Sequence, residues 1–318
     1  MGDAVAMAKI KSRNFNIIID YMIAHDELAI SQIAEDTMLS IPTVKKFIDY
    51  AMENDIVIHT EVAQSTGGRK PKLYKINKAY RYTLYFAVDN KNFCYRVADF
   101  TDNCVYKKEI KFVPGKIISD FKSVISEMLK KYKIKIVCIS MPAILDSGKI
   151  IYWGTLHDFD GFDLKGEIEE KFNVKCVVEN DMKLTAYAAI ADCENPKDAN
   201  LATLQFGHNG IGLGVVSNGK ILKGITGFAG EVSFLNYLDV DIPSVDYCAH
   251  LVNATIVFTN PEKIVFYTSQ YQNDIDGIMK NALCKIPGFA VPKIKIADSY
   301  IEDVFKGLSI ISKSNRKV

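Results

Sequence analysis

The feature that most constrains the fold is a pattern of β-rich runs and helical segments that occurs twice after Lys78. The first pass predicts strands near 83–89, 93–99, 104–110, 134–140 and 174–178, and helices near 119–132, 164–172 and from 181. The second pass predicts strands near 201–206, 211–217, 220–222, 263–267 and 293–297, and helices near 244–258, 275–283 and from 300. Interspersed strands and helices pack as layered α/β units, so we expect two lobes with a cleft between them.

The composition is that of an ordinary globular protein. Of the 318 residues, 48% are hydrophobic and 24% are charged, enough to bury a core in two or three structural units. No apolar run approaches the roughly 20 residues that cross a bilayer, and the N-terminus lacks the apolar core of a signal peptide, which favours a cytoplasmic protein. The seven cysteines lie far apart, so we expect free thiols. The net charge of +1 neither indicates nor excludes nucleic acid as a partner.

Apolar side chains at helical spacing begin the N-terminal region. Positions i, i+3, i+4, i+7 and i+8 form one apolar face, made of Phe15, Ile18, Ile19, Met22 and Ile23. A second, short helix is predicted from Ser31, with three residues turned inward: Ile33, Ala34 and Met38. A tight turn then leads into a third helix, and this arrangement is that of a helix-turn-helix.

The third helix is the candidate element for reading DNA. Ser40 is its predicted N-cap, because a serine oxygen can accept a hydrogen bond from a free N–H of the first turn. The predicted buried stripe is Val44, Phe47, Ile48 and Ala51. The residues predicted to face outward are Thr43, Lys45, Lys46 and Tyr50. Since the start of such a helix can enter a major groove, Thr43, Lys45 and Lys46 are predicted to approach bases or nearby phosphates.

The segment IVIHTEVAQSTGGRKPKLYKIN has two β-rich runs around a polar tip, as a wing does. Between Thr66 and Tyr82 no residue is acidic and six are basic: Arg69, Lys70, Lys72, Lys75, Lys78 and Arg81. Because adjacent glycines let the backbone come close, the residues predicted to hold phosphates or a minor groove are Gly68, Arg69, Lys70 and Lys72. The alternative is a packing or dimerisation module with a solvated basic hairpin.

Together with this wing, the segments VENDMKLTAYA and NGIGLGVVSNGKILKGITGFAGEVSF resemble the ROK family of bacterial repressors and sugar kinases. The resemblance covers nearly the whole chain and is closest to the xylose-repressor-like regulators. It implies a winged helix-turn-helix followed by a two-lobed, actin-like (ribonuclease H-like) ATPase-type fold. The implied division is 1–78 for the winged helix, 79–198 and 199–299 for two α/β lobes, and 300–318 for a closing helix that packs back on the lobes.

The resemblance also implies an effector site. Asn180 and Asp181 occupy the family's sugar-binding Asn-Asp pair, whose aspartate is the general base in the kinases. Glu231 occupies the glutamate of an E-x-G-H motif that binds the sugar, and His157 and Asp158 lie where family members place a loop that closes over it. Simpler interpretations remain open. Asn180 and Asp181 are favoured N-cap types, and the other three are polar loop residues of kinds that water usually solvates.

Two departures from the family pattern concern phosphate and metal. Family kinases have a D-x-G-G-T type turn whose glycines let N–H groups approach phosphate, but here the turn is DNKN, beginning at Asp89. Because phosphoryl transfer depends on such positioning, we predict no kinase activity and no cofactor. The zinc-binding histidine of E-x-G-H is replaced by Phe234. Cys248 and His250 supply only two of the four ligands of a structural zinc site, so we predict no metal.

The second lobe has a further ambiguous segment. Gly210, Gly212 and Gly214 resemble a phosphate loop of the family, yet the same spacing suits a strand packed closely on neighbouring backbone. The usual helical insertion after the E-x-G-H position is also missing, which predicts a smaller or more open effector pocket.

We therefore predict a DNA-binding transcriptional regulator of sugar metabolism, acting as a repressor. Its expected partners are a palindromic double-stranded operator, a sugar or sugar-derivative effector between the lobes, and further copies of the chain in a homodimer or higher homo-oligomer. The main alternative is an ATP-dependent sugar kinase with a fused DNA-binding domain and Asp181 as general base. A third possibility is that the lobes serve only as an oligomerisation scaffold.

Overall fold

The computed structural model describes residues 2–60, 72–88, 92–111, 113, 115–154, 156–207, 210–235, 244–268 and 274–315. In these ranges the chain forms an N-terminal unit of three helices and a small sheet, followed by two α/β lobes. None of the helices in this part of the chain is both long enough and apolar enough to cross a membrane.

The N-terminal unit packs three helices on a short antiparallel sheet. Its elements are α1 (Gly2–Ile23), β1 (Leu28–Ala29), α2 (Ile30–Thr37), α3 (Ile41–Glu53), β2 (Val57–Thr60) and β3 (Leu73–Ile76). The strands lie in the order β1-β3-β2. The helical spacing of the first apolar stripe is confirmed, because Phe15, Ile18, Ile19 and Met22 are buried together in the core of the unit. The strands β2 and β3 are the two β-rich runs that flank the predicted wing.

Two side chains of this unit differ from the sequence prediction. Met38, predicted to face the core, is 94% exposed. It is the C-cap of α2 and has left-handed backbone angles, φ 56° and ψ 29°, so its side chain leaves the apolar stripe where the helix ends. Phe47, predicted in the buried stripe of α3, is half-buried and packs against Phe15, with 5.7 Å between ring centroids.

The first lobe is built on a five-stranded mixed sheet. Its elements are β4 (Tyr82–Val88), β5 (Asn92–Ala98), β6 (Cys104–Lys111), α4 (Ile117–Lys131), β7 (Ile134–Met141), β8 (Ile144–Asp146), β9 (Lys149–Tyr152), α5 (Leu164–Phe172), β10 (Lys175–Asn180) and α6 (Asp181–Ala191). The main sheet has the order β10-β7-β4-β5-β6, with β10 and β4 parallel to β7. The short hairpin of β8 and β9 was not predicted, since its strands are too short to show an alternating pattern.

The second lobe repeats this plan on another five-stranded sheet. Its elements are β11 (Leu201–Gly207), β12 (Gly210–Ser217), β13 (Lys220–Ile221), α7 (Val245–Thr259), β14 (Lys263–Tyr267), α8 (Ile275–Leu283) and β15 (Lys293–Ile296), followed by the closing helix α9 (Tyr300–Asn315). The strand order is β13-β12-β11-β14-β15. Helices α7 and α8 cover one face, with their apolar side chains packed on β11 and β14. The predicted α/β elements of both passes are therefore confirmed to within a few residues.

Helix α6 lies between the two sheets and explains how the lobes meet. Leu184 packs with α9 and the first sheet, while Ala186 and Ala189 pack with the second. A helix that is apolar around most of its circumference must be buried on all sides. Gly214 of β12 allows this close approach, because a Cβ there would lie 2.5 Å from the carbonyl oxygen of Met182. Gly212 and Gly214 of β12 thus have a packing role against α6.

Candidate effector site and DNA-binding surface

A cavity of about 180 Å³ opens between the lobes at the start of α6. One side is formed by the β8–β9 hairpin and the turn before it, and the other by β12 and the loop after β13. The lining residues are Pro142, Ala143, Ile144, Tyr152, Trp153, Gly154, Asn180, Asp181, Met182, Gln205, Ile211, Gly212, Leu213, Gly230, Glu231, Ser233 and Phe234. Three of the predicted effector-binding residues, Asn180, Asp181 and Glu231, are therefore brought together in one cavity.

Asn180 ends β10 and caps α6. Its Oδ1 accepts the backbone N–H of Lys183 at 3.1 Å, and its Nδ2 donates to the carbonyl oxygen of Ala143 at 3.2 Å. The residue is buried. The capping interpretation is thus correct for Asn180. An amide has two N–H donors and two acceptor lone pairs, so these two bonds leave Asn180, which lines the cavity, the capacity for one further bond of each kind.

Asp181 is the first residue of α6 and is held at both carboxylate oxygens. Oδ1 accepts the backbone N–H of Met182 at 2.8 Å, and Oδ2 accepts the hydroxyl of Tyr300 at 2.6 Å. Burial raises the pKa of Asp181 to about 6, although both hydrogen bonds act in the opposite direction. Sequence reasoning missed Tyr300, which comes from the far end of the chain and belongs to no motif.

Glu231 enters the cavity from the second lobe and faces a buried lysine of α6. Its Oε1 lies 3.9 Å from Nζ of Lys183, which also donates to the carbonyl oxygen of Gly227 at 2.6 Å. Burial raises the pKa of Glu231 to about 7, and the positive charge of Lys183 acts against this. Burial conversely lowers the pKa of Lys183, with Glu231 acting to raise it. The pair is thus a charged contact between α6 and the loop that carries Glu231.

The position of Glu231 depends on the preceding glycine. Gly230 has a φ of 90°, a conformation that other residues rarely adopt, and a Cβ on it would overlap the carbonyl oxygen of Leu213. Lys183 was not predicted as a site residue. The signal for it was a single lysine inside the otherwise apolar segment DMKLTAYAAI, where a solvent-facing position could equally have been assumed.

The cavity also has an aromatic wall that the sequence did not indicate. Tyr152 and Phe234 pack edge to face with 5.4 Å between ring centroids, and Trp153 is 3% exposed behind them. Aromatic faces can pack against the C–H groups of a sugar ring while the polar side chains bond its hydroxyl groups. Among the described lining residues none is cationic, so the cavity suits a neutral ligand better than a phosphorylated one.

His157 and Asp158 do not line this cavity. Both are exposed in a short 3₁₀ helix, His157–Phe159, and the His157 ring lies 5.0 Å from that of Tyr152, which does line it. Nδ1 of His157 is 3.1 Å from Oδ2 of Asp160, so the nearest polar partner of the ring is on its own loop. A contact from His157 or Asp158 to a ligand would therefore require movement of this loop and stays a prediction.

The residues considered for metal and phosphate have other surroundings. Cys248 is buried in the second lobe, whereas His250 is exposed. Phe234 forms part of the aromatic wall. Within the described ranges, no group of three or more His, Cys, Asp or Glu side chains could hold a metal ion. Of the DNKN turn, residues 89–91 lie outside the described residues, as do His208 and Asn209.

The start of α3 forms the candidate DNA-binding surface. Ser40 is the N-cap, as predicted, and its Oγ accepts the backbone N–H of Thr43 at 3.4 Å and lies 2.8 Å from the Thr43 hydroxyl. Lys45 and Lys46 are exposed, and so is Lys72 at the start of the second wing strand. The predicted wing residues Gly68, Arg69 and Lys70 lie outside the described residues.

Two exposed apolar side chains accompany these polar ones. Ile41 is 56% exposed at the start of α3, and Met38 is 94% exposed in the turn before it. Apolar side chains beside a recognition helix can contact the methyl group of thymine in a major groove. The surface at this turn therefore offers hydroxyl, ammonium and apolar groups side by side.

The architecture is that of a small unit of three helices and a three-stranded sheet, joined to two α/β lobes with a cavity between them. Residues 97–241 match the ROK family model. The xylose repressor of Bacillus spizizenii is 22% identical over 237 residues, covering 71% of this chain and 61% of that protein. The transcriptional dual regulator NagC of Escherichia coli K12 is 25% identical over 220 residues, covering 64% of this chain and 52% of NagC. The matched segment thus spans about three fifths or less of these relatives.

Solved structures show the same fold. A ROK family transcriptional regulator, described as a homologue of E. coli MLC protein, has a TM-score of 0.66 at 13% identity and covers 96% of this chain and 99% of that one. A ROK family glucokinase from Streptomyces griseus, in complex with glucose and AMPPNP, has a TM-score of 0.58 at 13% identity and covers 72% of this chain and 98% of that one. The predicted fold class, a winged helix followed by an actin-like ATPase-type domain, is confirmed.

Proposed function

We propose that this chain is a DNA-binding transcriptional regulator of the repressor type, whose DNA affinity depends on a sugar bound between its lobes. The observation that carries the proposal is the cavity in which Asn180, Asp181 and Glu231 meet beside an aromatic wall, in a chain that also presents the start of α3 to solvent. The relatives named as a xylose repressor and NagC support the same combination of roles.

In the DNA-binding unit, Thr43, Lys45 and Lys46 are assigned to the major groove and its phosphates. Lys72, with Arg69 and Lys70 of the proposed wing, would hold the backbone or the minor groove beside it. Two copies related by a two-fold axis would place two such helices on the halves of a palindromic site, so the proposed active form is a homodimer or a larger even oligomer.

In the effector site, the polar side chains of the cavity are assigned to sugar hydroxyl groups. Asn180 and Asp181 come from one side of the cleft and Glu231 from the other, so a ligand that bonds all three favours a closed arrangement of the lobes. A ligand changes DNA affinity only if it binds one lobe arrangement more tightly than another. The absence of cations among the described lining residues favours an unphosphorylated sugar.

A kinase reaction is not part of the proposal. Asp181 could act as a general base only if a substrate hydroxyl took the place of the Tyr300 hydroxyl at its Oδ2. The DNKN turn also lacks the glycines that a phosphate-binding turn needs. Sugar-dependent consumption of ATP that Asp181→Asn abolishes would support the kinase alternative.

The experiment that tests the DNA-binding assignment compares two pairs of neighbouring exposed lysines. The double variant Lys45→Ala/Lys46→Ala removes the proposed groove contacts, and Lys107→Ala/Lys108→Ala on β6 removes the same charge from the first lobe. Binding to DNA from immediately upstream of the gene is measured over a salt series. We expect the first variant alone to bind more weakly and to lower the salt slope by about 0.9 for each phosphate that it no longer neutralises. Equal slopes for both variants would remove α3 from the interface.

A further inference from the structure

The closing helix α9 contacts the effector cavity at its first residue. The Tyr300 hydroxyl donates to Oδ2 of Asp181 at 2.6 Å, and the Tyr300 ring packs edge to face on Tyr267 with 5.4 Å between centroids. The hydroxyl of Tyr267 in turn donates to Oδ2 of Asp303, one turn further along α9, at 2.7 Å. The start of the helix is therefore positioned by the same carboxylate that is proposed to bind the effector.

The middle of α9 is packed so tightly that it should move as one body. Val304, Phe305 and Leu308 are buried against the first sheet and α6. Arg96 of β5 donates to Glu302 at 2.8 Å and lies 3.8 Å over the ring of Phe305. A displacement at the start of such a helix is carried along its length, because close-packed interiors transmit strain.

The last turns of α9 hold a different part of the first lobe. Ser309 donates a hydrogen bond to Oδ2 of Asp102, and the Ser312 hydroxyl lies 3.0 Å from that of Tyr85. Tyr85 in turn donates to Oδ1 of Asp102 at 2.8 Å. Both carboxylate oxygens of Asp102 thus accept hydrogen bonds, one from Ser309 and one from Tyr85.

Asp102 belongs to the turn between β5 and β6, residues 99–103, which we call the joint turn. The Asp99 carboxylate holds the turn by accepting the N–H groups of Thr101 at 2.9 Å and Asn103 at 3.0 Å. Phe100, between these residues, is 3% exposed and is buried in the core of the N-terminal unit. Its N–H donates to the carbonyl oxygen of Lys78 at 3.0 Å, just beyond β3.

These contacts form an unbroken route from the cavity to the DNA-binding unit. We propose that α9 transmits the state of the effector site to the N-terminal unit, with Tyr300 as a positioning residue for Asp181. A ligand hydroxyl that competes for Oδ2 of Asp181 displaces Tyr300 and shifts α9. Ser309 and Ser312 then move the joint turn, and Phe100 moves with it inside the N-terminal core. This inference rests on the proposed function for its biological meaning, but the mechanical link can be tested without any ligand or DNA.

The test is amide hydrogen exchange, measured by mass spectrometry on the full chain. Tyr300→Phe removes only the hydroxyl at the cavity end, and Ser309→Ala/Ser312→Ala removes the bonds at the other end. We expect each variant to raise the amide exchange rate at least about fivefold in peptides covering 73–80 and 96–104. A factor of about five is the lower end of the usual coupling between two sites. The control is Tyr187→Phe, since this half-buried tyrosine of α6 interacts with Lys223 and Glu179. It should leave both peptides unchanged.

Exchange differences confined to residues 181–184 and 298–305 in Tyr300→Phe would overturn the relay. The same samples are titrated with upstream DNA, which separates the two proposals. If the wild-type chain does not prefer that DNA, the proposed function fails, whereas the exchange result still decides whether α9 links the cavity to Phe100.

Discussion

Lys183 of α6 and Glu231 of the second lobe face each other across the cleft, with 3.9 Å between Nζ and Oε1 and only 4% of the lysine side chain exposed. The ion pair therefore joins α6 to the loop of the second lobe that brings Glu231 into the cavity. A ligand that bonds Glu231 must enter beside Lys183, so the pair is expected to affect both stability and ligand affinity.

The pair predicts a pH-dependent cost when the lysine is removed. In Lys183→Met the carboxylate of Glu231 loses its counter-charge, so its pKa should rise above the present value of about 7. At pH 8 we expect a loss of about 1–3 kcal/mol in the free energy of unfolding, below the range for breaking a fully buried pair because Glu231 remains partly exposed. At pH 5.5, where Glu231 is protonated, the loss should be smaller.

Urea unfolding at the two pH values measures this difference. The matched variant is Lys183→Met/Glu231→Gln, which removes both charges and should recover most of the lost stability at pH 8. A cost in Lys183→Met that is equal at both pH values would show that the ion pair is not its origin.

Asp181 gives a second pH prediction, of opposite sense to that of a carboxylate whose pKa is lowered by an ion pair. Its folded-state pKa is about 6, above the ordinary 3.8, so the folded chain binds more protons than the unfolded chain between these values. Stability is therefore lost as pH rises through this window, and above it the ionised carboxylate costs about 2–3 kcal/mol. Asp181→Asn removes this cost and can still accept the N–H of Met182.

We expect Asp181→Asn to unfold at higher urea concentration than the wild type at pH 8 and at nearly the same concentration at pH 4. The comparison is made from complete denaturation curves at each pH. A variant that is less stable than the wild type at pH 8 would mean that the hydrogen bonds to Tyr300 and Met182 outweigh the burial of the charge.

The packing of β12 on α6 predicts a large difference between two glycine substitutions. In Gly214→Ala the new Cβ lies 2.5 Å from both the carbonyl oxygen of Met182 and Oγ1 of Thr203, so we expect a loss of about 2 kcal/mol or more. In Gly277→Ala of α8 the nearest neighbouring atom, Cγ1 of Val245, is 4.0 Å away, so we expect a gain of about 0.5–1 kcal/mol from helix propensity. Thermal unfolding of the two variants distinguishes packing from a general effect of replacing glycine.

Local patterns in the sequence were sufficient to predict most helices and strands, and the residues on one side of the candidate effector site. The spacing of Phe15, Ile18 and Met22 predicted α1 correctly, and Ser40 caps α3 as its residue type suggests. Asn180 caps α6 for the same reason. In each case the deciding interaction joins residues only a few positions apart, so a short window of sequence contains the necessary information.

The remaining parts depend on contacts between distant segments. The Tyr300 hydroxyl is hydrogen-bonded to Asp181, which lies 119 residues earlier in the chain, and no spacing rule relates the two residues. Lys183 was overlooked because its burial depends on the loop that carries Glu231, which belongs to the other lobe. Met38 was placed wrongly because the end of α2 turns at that residue, and only the left-handed backbone reveals where its side chain points.

The most direct measurement of the central claim is the affinity of the full chain for upstream DNA against scrambled DNA of equal length, with and without a neutral monosaccharide that raises its melting temperature. We predict a clear preference for the upstream DNA, changed at least about fivefold by the sugar. Equal affinity for the two DNAs at every salt concentration, or a preference that no stabilising sugar alters, would contradict a sugar-responsive regulator.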